Sequence, residues 1–188
     1  MKANRDALFL VDLQKAFFDE EGLAECEGEL EAAANRLRDA ARLADVPVFV
    51  ITTVHSRDES TWTLNMLEAG EGFLFAGDEG TQVISGLNTE ETTRVEKTRD
   101  SAWFGTDLQL RLTNLGIKRI VIAGVSTHGC IAQTSRDAYA HNTRVTIVTD
   151  AVADHRQDYH DAQLRQLEED RQASIATIED ILESWNQA

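Results

Sequence analysis

Residues 7–12 read Ala-Leu-Phe-Leu-Val-Asp: five apolar residues without alternation, ending on a carboxylate. A strand with one wet face alternates polar and apolar residues. A short continuous apolar run instead reads as a strand buried on both faces, as in a parallel sheet. Residues 46–51, 119–124 and 145–148 have the same form, each short and rich in β-branched or aromatic residues. Weaker strands are expected at 94–97 and 174–178. Between them lie helical segments. Residues 29–43 carry Leu30, Ala33, Ala34, Leu37 and Ala41 at helical spacing. Residues 106–115 carry Leu108, Leu112 and Leu115, and Gly116 follows as a stop signal. Residues 131–140 and 159–169 follow the strands at 119–124 and 145–148. This alternation predicts an α/β sandwich built on a parallel sheet.

One stretch breaks the rhythm. Residues 55–87 hold glycines at 70, 72, 77, 80 and 86 with Trp62, Phe73 and Phe75, without clean periodicity. This is too long for an ordinary connection and reads as an ordered insert or lid. The sole proline, Pro47, opens the second strand, where a missing N–H does little harm. The expectation is one domain over residues 1–188 with that insert.

The chain of 188 residues has 33 acidic and 18 basic residues, a formal net charge of −15. That charge argues against nucleic acid or an anionic membrane as partner, because phosphates would be repelled. The first apolar run is too short for a signal sequence or a membrane span. Two cysteines, Cys26 and Cys130, make neither a disulfide scaffold nor a cysteine-rich zinc site. A reducing, cytoplasmic location is the expectation. Seven acids and no base lie between residues 19 and 31, which suits a solvated loop and the N-terminus of a helix.

In open α/β sheets ligands bind beyond the carboxyl ends of the strands. Asp12 ends the first strand, Lys97 the weak third, and Gly124-Val125-Ser126-Thr127-His128-Gly129-Cys130 leads from a strand into a helix. These converge if the first strand lies beside 119–124. Cys130 near a helix N-terminus is either an activated thiolate or a small buried residue. Asp12 is either a ligand-facing carboxylate or a helix cap. Lys97 alone reads as a site group or a solvated charge. Gly124-x4-Gly129 resembles half a phosphate loop, but Cys130-Ile131 replaces the Lys-Ser/Thr it requires. Cys130-x5-Arg136 has the spacing of cysteine phosphatases, yet the intervening residues look helical. No histidine pair has metal-ligand spacing. His155 and His160, with Asp154 and Asp158, read as solvated loop residues.

Three segments together resemble the isochorismatase-like cysteine hydrolase superfamily, which includes nicotinamidases and N-carbamoylsarcosine amidase-like enzymes. They are Ala7-Leu8-Phe9-Leu10-Val11-Asp12-Leu13-Gln14, Lys97-Thr98-Arg99-Asp100-Ser101-Ala102-Trp103-Phe104-Gly105-Thr106-Asp107-Leu108, and Ala123-Gly124-Val125-Ser126-Thr127-His128-Gly129-Cys130. The resemblance implies a three-layer, Rossmann-like sandwich with a six-stranded parallel sheet and helices on both faces. It implies a triad of Asp12, Lys97 and Cys130, with a cis peptide at Val125–Ser126. That bond would aim the N–H of Ser126, with that of Cys130, at an oxyanion. It also implies a dimer or tetramer.

Gln14, Phe18, Trp62, Trp103, Phe104 and His128 are candidates for the substrate wall. Nicotinamidase-like members carry an Asp-x-His and a second His after the second strand; here only His55 remains, so no catalytic metal and no cofactor are expected. The presence of Cys130 favours a covalent amidase acting on a small amide, ureide or carbamoyl compound through a thioester. The alternatives are isochorismatase-type vinyl-ether hydrolysis, the phosphatase, and a non-catalytic acidic scaffold.

Overall fold

The computed structural model describes residues 5–187. Residues 1–4 and 188, the ends of the single-domain expectation, lie outside the described residues. Six strands form one parallel sheet: β1 (Asp6–Val11), β2 (Val48–Thr53), β3 (Thr93–Lys97), β4 (Arg119–Val125), β5 (Arg144–Ala153) and β6 (Ser174–Ala176). Their order is β3-β2-β1-β4-β5-β6. β1 is therefore central, with Val11 level with Ile51 on one side and Gly124 on the other.

The unbroken apolar run of β1 is explained by two cores. Leu8 and Leu10 point to one face, where they pack with Leu30, Ala33, Ala34, Leu37 and Ala41 of α1 (Glu27–Leu43) and with Ile178, Ile181 and Trp185 of α6 (Ile178–Asn186). Ala7, Phe9 and Val11 point to the other. There they meet Leu108 and Leu112 of α3 (Leu108–Leu115), Ala132 and Ala138 of α4 (Ala132–Ala140), and Leu167 of α5 (Gln157–Glu169). Both faces are dry, so alternation of polar and apolar residues is absent. None of the described helices is long and apolar enough to cross a membrane.

Several boundaries differ from the sequence-based expectation, among them β2, which spans Val48–Thr53 rather than 46–51. The strand expected at 174–178 stops at Ala176, because Thr177 caps α6. The Thr177 hydroxyl accepts from the Asp180 backbone N–H, and the Asp180 carboxylate accepts from that of Thr177. The strand expected at 145–148 runs on to Ala153, through an irregularity that leaves Gly124 level with Val152. The helix expected at 131–140 is preceded by one widened turn, Thr127–Ile131, which carries Cys130.

The insert is tied down. It contains the short helix α2 (Leu64–Ala69) and a tight turn at Glu79–Thr81. Backbone bonds join His55 to Leu74 and Ala76, Lys15 to Gln82, and Ile84 to Leu13. The segment therefore wraps the carboxyl ends of β1 and β2.

Gly124 lies where β1 and β4 come closest. Its φ is +123°, and a Cβ there would stand 2.0 Å from the Val11 carbonyl oxygen. Gly124→Ala is expected to cost about 2 kcal/mol or more, from overpacking together with an unfavourable φ. A chemical-denaturation midpoint measured beside wild type checks this.

Candidate active site

The strand order lays four candidate functional residues side by side. Lys97 ends β3, Thr53 ends β2, Asp12 follows β1, and Cys130 lies in the turn after β4. Lys97 and Asp12 have fully buried side chains, with Lys97 Nζ 2.8 Å from Asp12 Oδ2. The same ammonium donates to Thr53 Oγ1 at 2.6 Å and to Cys130 Sγ at 3.3 Å. The Thr53 hydroxyl in turn donates to Asp12 Oδ1 at 2.9 Å. Asp12 adopts a left-handed conformation, φ +51°, which Asp tolerates better than most residues. Its Oδ2 accepts no hydrogen bond of regular geometry, so a lone pair is left to receive a proton.

Burial drives the Cys130 thiol well above its ordinary pKa, and the Asp12 carboxylate pushes it further. The Lys97 ammonium pulls the other way without prevailing. Of the two readings of Cys130, an activated thiolate near a helix N-terminus is not favoured at rest, because the desolvation of a nearly enclosed sulfur outweighs the pull of Lys97. Burial also opposes the charge on Lys97, but Asp12 and Cys130 overcome it, and its pKa ends above the usual lysine range. These directions favour a charged ammonium beside a protonated thiol. Cys26 is also raised, by burial first and then by Glu29 and Glu25. It donates to the Leu23 carbonyl.

A cavity of about 580 Å³ opens above Cys130. Phe17, Phe73 and Phe104 supply its aromatic wall, and Arg99, Asp100 and Asp137 its charged groups. Arg99 is turned onto the backbone carbonyls of Thr61, Trp62 and Thr98. It thereby ties the insert to the end of β3. The Val125–Ser126 peptide is cis, and the Ser126 carbonyl accepts from the backbone N–H groups of Gly129 and Ile131.

Of the residues expected in the wall, Phe104 lines the cavity and five others do not. The Gln14 side chain is spent on Thr53, accepting from its N–H at 2.7 Å and donating to its carbonyl at 2.9 Å, with a further bond to the Thr81 carbonyl. Phe18 is buried in the α1 core. Trp62 donates to the Ser56 carbonyl and packs on Phe75. Trp103 donates to the Thr134 carbonyl and stacks on His141. His128 is held on Asp154. Each indole and amide has found a backbone partner, as buried polar groups must.

Thr53 was missed. The signal available was its place at the end of a strand, the same signal that marks Asp12. The phosphatase spacing fails because Cys130 to Arg136 runs along helix, and Arg136 reaches Gln163 and Gln166. The reading of Asp154 as solvated also fails: its side chain is fully buried.

A metal of the nicotinamidase kind does not fit here. His55 Nδ1 faces the Thr61 carbonyl at 2.9 Å. Among the described residues, the single group of three His, Cys, Asp or Glu ligand atoms close enough to share an ion lies elsewhere and excludes His55.

The Isochorismatase domain family model matches residues 6–180. The chain belongs to the isochorismatase family. An Arabidopsis thaliana protein named "Probable inactive nicotinamidase" is 32% identical over 167 residues, covering 84% of this chain and 85% of that one. The N-carbamoylsarcosine amidase of an Arthrobacter species is 31% identical over 159 residues, 80% of this chain and 60% of the relative. A cysteine hydrolase from Pseudomonas syringae pv. phaseolicola superposes with a TM-score of 0.88 over 100% of this chain and 96% of its own, at 22% identity. Relatives within the isochorismatase family thus include amidohydrolases, and this chain is similar to them in sequence and fold.

The electrostatics around Cys130 can be read by alkylation. In a Cys26→Ser background, the pH midpoint for iodoacetamide labelling of Cys130 should lie above that of a free cysteine, ~8.5. Asp12→Asn removes a negative neighbour and should move it to lower pH. Lys97→Met removes the counter-charge and should move it higher. Peptide mass spectrometry across pH measures all three.

Proposed function

We propose that the protein is a cysteine-dependent hydrolase that cleaves the C–N bond of a small amide, ureide or carbamoyl compound through a thioester. The observation that carries this is the contact set on one ammonium: Lys97 Nζ at 2.8 Å from Asp12 and 3.3 Å from Cys130, beneath an open cavity. A nucleophile, a base within reach of its proton and a group that orients the base are the parts covalent catalysis needs.

The steps follow from that arrangement. The Cys130 thiol passes its proton to Asp12 as the sulfur attacks the substrate carbonyl. Lys97 stays charged throughout and holds both partners. The N–H groups of Ser126 and Cys130 are the candidates to receive the oxyanion; one such donor is typically worth ~3 kcal/mol. Asp12 returns the proton to the departing nitrogen, the C–N bond breaks, and ammonia or an amine leaves. Water then attacks the thioester and gives a proton to Asp12. The C–S bond breaks, and the thiol is restored as the acid departs.

The cavity favours a neutral substrate. Its charged groups are two acids and one arginine, and that arginine is turned onto three carbonyls. With a chain charge of −15, a carboxylate-bearing substrate such as isochorismate is poorly matched. Among the described residues no set of three ligand atoms gathers around His55, which likewise disfavours nicotinamide. We extend the same reading to the chain as a single cytoplasmic domain acting as a dimer or tetramer.

A non-catalytic reading is kept in view by the relative named as inactive. Ammonia release from a panel of neutral amides, ureides and carbamoyl compounds separates the two. Wild type should turn over at least one class, and Cys130→Ala, folded by circular dichroism, should lose about 10³-fold or more. No turnover of any compound would leave the scaffold reading standing, and equal non-zero rates for the two proteins would show hydrolysis that does not use Cys130.

A further inference from the structure

We propose that His128, Asp154 and His155 bind one divalent transition-metal ion, at a site beside the nucleophile turn and outside the cavity. Asp154 directly follows β5, and its side chain is fully buried. Its Oδ2 accepts from the His128 backbone N–H at 2.7 Å and faces His128 Nδ1 at 2.6 Å. Its Oδ1 accepts from the Arg156 N–H at 3.1 Å and faces His155 Nδ1 at 3.3 Å. Ligand atoms of the three side chains all lie within 4.8 Å of one another. In a tetrahedral zinc site, bond lengths of ~2.0–2.1 Å put neighbouring ligand atoms ~3.3 Å apart. The His155–Asp154 separation, 3.3 Å, already has that value, and His128 Nδ1 would move outward from its 2.6 Å contact with Asp154. The backbone bonds to Asp154 hold its carboxylate ready.

Two imidazoles and a carboxylate make a donor set for zinc, cobalt, nickel or copper rather than for magnesium or calcium. On binding, each imidazole gives the Nδ1 lone pair to the ion, and a neutral ring then carries its one proton on Nε2. His155 is exposed, so the ion has a route in. Glu20 has Oε2 3.8 Å from His155 Nδ1 and can fill the open position, which water would otherwise take. The acids at residues 19–31 lend the approach a negative potential.

The site draws together three segments: the turn after β4, the β5–α5 loop and the loop at Glu20. His128 stands two residues before Cys130, so a bound ion would fasten the nucleophile turn to the β5–α5 loop. None of this depends on the substrate or on amide hydrolysis.

The test is metal binding on the full chain, freed of metal by chelator. Zinc chloride is followed by calorimetry, cobalt chloride by visible absorption, and thermal unfolding is run with and without zinc. Wild type should take one equivalent per chain and unfold at a higher temperature with zinc. His155→Ala changes an exposed side chain and should fold; it should bind at least about tenfold more weakly and lose the thermal shift. Magnesium chloride should not compete. Absence of saturable zinc binding, equal affinity in His155→Ala, or magnesium binding as tight as zinc would each overturn the site.

Discussion

A lysine ammonium with no exposed side-chain surface is the constraint around which this molecule is arranged. A lone charge at that depth would cost several kcal/mol, so it persists only with close and well-placed partners. Lys97 has three: the Asp12 carboxylate, the Thr53 hydroxyl and the Cys130 sulfur. With Lys97 itself they come from four different strand ends. The order β3-β2-β1-β4 makes those ends neighbours, and Gly124 lets β4 approach β1 closely enough to bring Cys130 in. Gln14 fixes the backbone of Thr53 from both sides, so that the hydroxyl stays between Lys97 and Asp12. Topology, glycine placement and side-chain packing all serve that one charge.

The same burial sets the chemistry. Desolvation favours the thiol form of Cys130, while the Asp12 carboxylate and Cys130 together favour a charged Lys97. A proton transfer from sulfur to that carboxylate moves the charge only as far as the ammonium reaches. The insert matters because it roofs this centre: Arg99 clasps the carbonyls of Thr61 and Trp62, and Phe73 completes the wall. An exposed arrangement of the same groups would let water stabilise each charge separately and would weaken their coupling.

The fold was legible because a parallel sheet with both faces covered leaves unbroken apolar runs, and residues 7–11 are such a run. What stayed hidden were changes made by single side chains, such as Thr177 turning an expected strand residue into a helix cap. In the site, Asp12 and Cys130 stood out as a charged and a nucleophilic residue just beyond apolar segments, whereas Lys97 ends the polar stretch Arg94-Val95-Glu96-Lys97 and joined them only through the family resemblance. Thr53 did not stand out, since a β-branched residue at a strand end reads as part of the strand. The aromatic wall was misassigned for Trp62 and Trp103 because sequence does not reveal which indole N–H has a carbonyl waiting. Asp154 was read as solvated because the partner that covers its Oδ2, His128, lies 26 positions away in sequence.

The central claim is that Cys130 carries the acyl group between two half-reactions. Hydroxylamine partitioning tests it without requiring the intermediate to accumulate. Two substrates that share an acyl group and differ in the leaving amine are turned over in the presence of hydroxylamine, and the ratio of hydroxamate to free acid is measured for each. A common thioester forgets its leaving group, so the two ratios should be equal. Ratios that differ with the leaving amine would contradict a shared covalent intermediate and with it the role assigned to Cys130.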